Sequence, residues 1–261
     1  MDGIERFREF FADYTANYVV IGGAACGLYA ERYAQTPRVT HDIDTVLVVE
    51  ALTPEFGERF WQFVKDGGYR SQETSQGKHE HFRFRLPSKT DFPEQIELFS
   101  RDIGILMVPE GARLTPIPLD EDLSSLSAIL MNTAYYRYTI EHSELVEGVH
   151  VAKIESLICL KCRAYNDLAS RRGKGEAIDS RKVNKHERDV FRLTAMLDAT
   201  ERFDVPVELW NDVQQFMELV RADMPNGDAL KAMGLYGVEA EDVLARLAEA
   251  FDAEDMDDHD K

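Results

Sequence analysis

The stretch Tyr18-Val19-Val20-Ile21-Gly22-Gly23, followed by Arg38-Val39-Thr40-His41-Asp42-Ile43-Asp44, decides how this chain is read. Tyr18 to Ile21 is a β-rich run that stops at a glycine pair. Ala24 to Tyr33 is alanine-rich and broken only by Gly27, which predicts a helix after the glycine turn. Ile43 to Val49 predicts a second strand. Side chains alternate along a strand, so Asp42 and Asp44 share one face and Ile43 turns to the other. Two neighbouring carboxylates repel and raise one another's pKa, a penalty that a hard divalent cation with oxygen ligands removes. Gly22 and Gly23 would let the backbone approach a phosphate, with the dipole of the following helix behind them.

Outward from that stretch, residues 4–16 carry Ile4, Phe7, Phe11 and Tyr14 at helical spacing, and Phe56 to Lys65 reads as an amphipathic helix ended by Gly67-Gly68. Phe82-Arg83-Phe84-Arg85-Leu86 alternates as a strand, and so does Ile96-Glu97-Leu98-Phe99. Glu97 interrupts that apolar strand and offers a third carboxylate from a neighbouring strand. Short β-like pieces follow near Ile105–Val108, Tyr135–Ile140 and Gly148–Val151. From Lys153 the texture is helical, over 153–171, 183–198, 207–222 and 239–251. The expected architecture is α+β: a mixed sheet with flanking helices over 1–151, then a helical domain over 152–261. The acidic tail 252–261 is expected to be solvated and disordered.

Composition bounds the function. The chain has 261 residues, 44% hydrophobic, with 48 acidic against 30 basic side chains and a net charge of −18. That length supports a sizeable core in one or two domains. No apolar run is long enough for a membrane span, Asp2, Glu5 and Arg6 stand where a signal peptide would be apolar, and three cysteines make no disulfide framework. The expectation is a cytoplasmic protein with no membrane partner. The acidity argues against nucleic acid as a partner, but its distribution is uneven: residues 150–200 carry 11 basic and 7 acidic side chains between two acidic flanks.

Asp-x-Asp also occurs on solvated strand edges, and a lone Gly-Gly says little. What points to chemistry is the order: strand, Gly-Gly, helix, Asp-x-Asp on a strand, Glu on a later strand. In that order the chain resembles the nucleotidyltransferases of the DNA polymerase β superfamily, and most nearly the AbiEii type of abortive-infection and toxin–antitoxin systems. Arg38-x-Thr40-x-Asp42-x-Asp44 fits that branch, although 18 residues between Gly23 and Asp42 are more than in compact members. The resemblance touches residues 18–197, through Lys161 and Lys185-His186-Glu187-Arg188-Asp189.

The resemblance implies transfer of a nucleoside monophosphate from a nucleoside triphosphate (NTP) to an acceptor hydroxyl, with pyrophosphate released. It implies Mg2+, or Mn2+ in its place, in a two-metal site on Asp42, Asp44 and Glu97, with Gly22, Gly23, Arg38, Thr40, Lys161 and Asp189 toward the nucleotide. RNA, including the 3′ end of tRNA, is one implied acceptor, and a cognate antitoxin one implied partner. Transfer to a small molecule or a protein, and nucleotide binding without turnover, are the alternatives.

Read from the residues alone, Lys161 sits inside the apolar stripe Ile154, Ile158, Tyr165, Leu168. It therefore needs an anion or a route to solvent. Asp189 can instead be a surface partner of Lys185. Cys159 and Cys162 read as core residues rather than half a metal site. His79-Glu80-His81 reads as a solvated strand start or a metal site. Arg171, Arg172, Lys174, Arg181 and Lys182 read equally as a solvated loop and as phosphate contacts.

Overall fold

Tyr18 to Ile21 is buried at every position because both faces of this strand are covered. In a computed structural model, the residues described are 3–37, 40–74, 80–100, 115–116, 129–130 and 132–251. Their strands are β1 (Tyr18–Ile21), β2 (Asp42–Leu47), β3 (Ser71–Thr74), β4 (Glu80–Arg85), β5 (Gln95–Ser100), β6 (Thr115–Pro116), β7 (Ser143–Val146) and β8 (Val149–Ala152). The helices are α1 (Ile4–Phe10), α2 (Gly22–Arg32), α3 (Pro54–Gly67), α4 (Thr133–Glu141), α5 (Ile154–Gly173), α6 (Ser180–Thr194), α7 (Val207–Ala222), α8 (Gly227–Ala232) and α9 (Ala240–Ala250). The chain divides into two compact units, one of Met1–Met131 with Thr139–Lys153, the other of Asn132–Tyr138 with Ile154–Lys261. The architecture is a mixed α/β one, and among the described residues no helix is long and apolar enough to cross a membrane.

The first unit holds one eight-stranded mixed sheet in the order β6-β3-β4-β5-β2-β1-β8-β7. β2 runs parallel to β5 and antiparallel to β1, and β4 runs antiparallel to β5. Register places Tyr18, Leu47, Thr45, Leu98 and Phe82 on one face, with Phe84 and Ile96 beside them. Phe7 and Phe11 pack edge-on to Tyr18, and Phe60 packs on Phe84, so the helical spacing of α1 and α3 delivers an aromatic layer to this face. Asp42, Asp44 and Glu97 fall on the opposite face by the same register.

In the second unit α5 packs on α6 and α7, and α6 on α9. Leu168, Ile178 and Val183 form an apolar cluster, and the Tyr165 ring meets Phe216 edge-on at 5.0 Å.

Two expectations change. Residues 135–140 are helical rather than extended. Asn132 Oδ1 accepts from the Ala134 N–H at 2.8 Å and starts the turn, and Tyr135, Tyr138 and Thr139 are buried on one side. Burying that face and satisfying the Tyr135 hydroxyl on Asp212 outweighs the β propensity of the tyrosines. The N-terminal helix stops at Phe10 and continues as a 3-10 segment, Ala12–Asn17. The piece at 105–108 and the tail 252–261 lie outside the described residues.

Phe63 is fully buried among Phe7, Phe10, Phe11 and Phe92, with ring centroids 4.8 to 5.9 Å away. Truncation leaves a cavity that a ring of aromatics cannot close. Phe63→Ala is expected to destabilise the fold by about 3–5 kcal/mol. Urea unfolding checks this, and a midpoint unchanged from wild type would refute it.

Candidate active site

β1 ends at Ile21, directly opposite Asp44, and the chain turns into α2 at Gly22. Gly22 has φ +69°, a left-handed conformation that residues with a Cβ rarely adopt. A Cβ there would also stand 2.0 Å from Asp44 Oδ2 and 2.9 Å from its Cγ. The residue is glycine on both grounds, and the turn lies directly against the Asp44 carboxylate. The N-cap of α2 is Ile21, which offers no side-chain acceptor, whereas Thr53 caps α3 by accepting from the Phe56 N–H. The first-turn N–H groups of α2 thus meet no side-chain cap, the arrangement in which a helix end favours an anion.

Two cross-strand rows run over this face of the sheet. One joins Asp44, Glu97 and Arg83 on β2, β5 and β4; the other joins Asp42, Gln95 and Arg85. Asp42 is exposed, Asp44 half-buried, and Glu97 is 6% exposed. Arg83 Nε donates to Glu97 Oε1 at 2.9 Å from a site itself 7% exposed, and Gln95 Nε2 donates to the same oxygen at 2.8 Å. Burial, then the charge of Asp44, pushes the Glu97 carboxyl up to about 8; Arg83 works against the shift, and Asp42 adds to it. The face thus gathers carboxyl groups in one row, and the buried Arg83 guanidinium answers Glu97.

The donor chemistry here is all oxygen and anionic, which suits a hard divalent cation such as Mg2+. A cation beside Asp44 would relieve the charge that raises Glu97. As placed, the carboxylates are not gathered: among the described residues no group of three or more His, Cys, Asp or Glu side chains stands at metal-holding spacing. Glu97 Oε1 is turned to Arg83 and Gln95 instead.

The remaining sequence candidates are placed as follows. Thr40 precedes β2, its hydroxyl donating to the Asp42 carbonyl at 3.5 Å, and Gly23 lies in the first turn of α2. Arg38 and His79 lie outside the described residues. Lys161 and Asp189 belong to the second unit, where their side chains form an ion pair at 2.8 Å with 6% and 4% exposure. The anion that Lys161 required is therefore Asp189, delivered by α6. Cys159 and Cys162 are buried, and desolvation pushes both thiols well up. The basic run is in part self-neutralised: Arg171 pairs with Glu176 at 2.8 Å and Arg181 with Asp179 at 2.6 Å.

Two groups escaped the sequence reading. Arg83 and Gln95 lacked any signal beyond the alternation of β4 and β5, which already put Arg83 and Arg85 on one face. Asp212, 4% exposed, accepts from Tyr135 Oη at 2.7 Å, from Arg163 at 3.2 Å and from Asn166 at 3.4 Å. Its partners are far apart in sequence, so nothing local marks it.

No family model, curated protein or solved structure matches the chain.

Gly22→Ala combines a left-handed φ with a collision at Asp44, and is expected to cost about 1–3 kcal/mol in urea unfolding. An unchanged stability would contradict the contact. Glu97 titrates at about 8 in the fold against an ordinary 4.5, so between those values the folded chain keeps a proton that the unfolded chain has lost. Its contribution to stability therefore falls as pH rises across that window. Glu97→Gln is expected to flatten the pH dependence of unfolding there, and a slope identical to wild type would rule the shift out.

Proposed function

We propose that this chain is a metal-dependent nucleotidyltransferase, similar to the AbiEii type of the DNA polymerase β superfamily, that moves a nucleoside monophosphate from an NTP to an acceptor hydroxyl. The observation that carries the reading is the contact between the Gly22 turn and Asp44, where a Cβ would stand 2.0 Å from Oδ2. It joins a helix end suited to phosphate with the carboxylates of β2 in one place, which two unrelated surface features would have no reason to do.

In this reading the acceptor oxygen attacks the α-phosphorus, the bond to the β-phosphate breaks, and pyrophosphate leaves with the electron pair. Gly22, Gly23 and the first turn of α2 receive phosphate oxygens through backbone N–H groups. Asp42 and Asp44, with Glu97 as third carboxylate, would hold Mg2+, which when bound offsets the charge of the triphosphate and the departing pyrophosphate. Glu97, opposite Asp44 in register, would take the acceptor's proton, a role that rests on its place on β5. A role for Lys161 and Asp189 toward the nucleotide rests on the resemblance alone.

For the acceptor, RNA (the 3′ end of tRNA included) is one reading, and a toxin-like role with a cognate antitoxin goes with it. The pairing of Arg171 and Arg181 with carboxylates weakens the basic run that supported RNA and favours a smaller acceptor.

The test incubates the protein with Mg2+, each labelled NTP and total RNA or cell lysate, with Asp42→Ala/Asp44→Ala as control. Label is expected to appear in an acceptor with wild type and to fall at least about a hundredfold in the control. Label in RNA identifies a nucleic-acid acceptor, and label in protein or a small product identifies the other class. Binding of NTP without transfer would leave a nucleotide-binding protein. Absence of binding, transfer and pyrophosphate release would sink the proposal.

A further inference from the structure

Along the connection between β4 and β5 lies a half-open cavity of about 620 Å³ that reaches Asp42. That size lies within the roughly 300–1,000 Å³ of small-molecule sites. Arg85, Lys89, Thr90 and Gln95 line it with Asp42, and Phe92 forms an apolar part of its wall. The connection is held from several sides. Ser88 N–H and Oγ donate to the Gly67 carbonyl at 2.8 and 3.2 Å, Tyr69 Oη donates to the Pro93 carbonyl at 2.8 Å, and Glu94 N–H donates to the His41 carbonyl at 3.0 Å. Gly68, with φ +63°, leaves room for Ser88, whose Oγ would stand 2.1 Å from a Cβ. The cavity is built on pinned backbone.

Its charged lining is Arg85 and Lys89 with two carboxylates, Asp42 and Glu94, the latter 3.5 Å from His41 Nδ1. In a chain with a net charge of −18, neither Arg85 nor Lys89 is in an ion pair among the described residues. Lys89 Nζ lies 5.6 Å over the Phe92 ring. Asp42 borders the cavity on the β2 side, with Gln95 between it and Arg85 in register. Two strand spacings, roughly 10 Å, separate the backbones of Asp42 and Arg85. Strand order places the Gly22 turn beyond β1 and this cavity toward β4, so the two flank the aspartates on opposite sides.

We propose that this cavity is the acceptor subsite, and that it takes a phosphate-bearing hydroxyl compound of mononucleotide size: Arg85 and Lys89 hold the phosphate, and the hydroxyl is directed toward Asp42. A guanidinium matches two phosphate oxygens at once, and the ammonium adds a point charge. Asp42, and Glu94 beside His41, repel the phosphate toward Arg85 and Lys89 and so fix the ligand's polarity. Calling the ligand an acceptor rests on the nucleotidyltransferase reading; the phosphate site itself does not. The same chemistry is presented by a free ribonucleotide and by the terminal nucleotide of an RNA.

The test titrates the full chain with inorganic phosphate, adenosine 5′-monophosphate and a short single-stranded RNA, following heat of binding, for wild type, Arg85→Ala/Lys89→Ala and Lys89→Glu. Both side chains are exposed, so folding is expected to survive. Wild type is expected to bind the monophosphate, and both variants to lose at least about tenfold in affinity. RNA that binds more tightly than the monophosphate, with a steep salt dependence, identifies a polynucleotide end; the reverse identifies a small acceptor. Affinities unchanged in both variants, or no binding to wild type, overturn the site. The labelled-transfer assay separates the two readings. Normal transfer by Arg85→Ala/Lys89→Ala leaves the nucleotidyltransferase standing without this subsite. Phosphate binding that depends on Arg85 and Lys89, with no NTP turnover by wild type, leaves the subsite standing and removes the nucleotidyltransferase.

Discussion

Asp44 and Glu97 stand opposite each other on two parallel strands, and the cost of ionising both carboxyls sets the terms for what surrounds them. Close carboxylates inside a protein cost free energy unless a cation or a proton answers them. Here the answers are graded across the sheet. Arg83 neutralises the buried end of the row, Gln95 donates to the same oxygen, and Glu97 gains a raised proton affinity for what remains. Asp42, one alternation away, lies at the exposed end of the strand, where charge is less costly. The gradient runs from a buried carboxyl held by Arg83 to one at the exposed end of β2.

That charge is tolerated because the opposite face of the same strands is strongly apolar. Phe7, Phe11, Phe60 and Phe63 seal one side of the sheet, so the strands that carry acid on one face carry Tyr18, Thr45, Leu98 and Phe84 on the other. The period of two in a strand is what makes both possible at once. The second unit uses buried charge differently. Lys161 with Asp189, and Asp212 with Tyr135, Arg163 and Asn166, tie helices together through partners that satisfy each other. Such networks specify which helix faces meet, because any other packing would strand a charge without a partner.

The strand, glycine turn and paired aspartates of the first unit were legible because each is a local pattern with a local cause. A β-rich run, a breaker and an alternation need no knowledge of what lies across the sheet. The same holds for Glu97, visible as a charge in an apolar strand, and for Lys161, visible as a charge in an apolar helix. What each of them meets was not legible. Glu97 meets Arg83, fourteen positions away in the chain, and Lys161 meets Asp189 from the following helix. Residues 135–140 show the same limit in secondary structure, since a tyrosine-rich run with β propensity becomes a helix in which Tyr135 is buried and donates to the distant Asp212.

The sequence by itself therefore determined the α+β class, the aromatic faces of α1 and α3, the glycine turn after β1 and the shared face of Asp42 and Asp44, all of which follow from periods of two or 3.6 and from the conformational freedom of glycine. Only the tertiary structure decided that Gly22 lies against Asp44, that Glu97 is held by Arg83, that Lys161 is answered by Asp189, and that a pinned connection leaves Arg85 and Lys89 beside Asp42. The reason is physical. Patterns within one element are set by backbone geometry, whereas the partner of a charged side chain is set by register and packing between elements that the chain brings together from a distance.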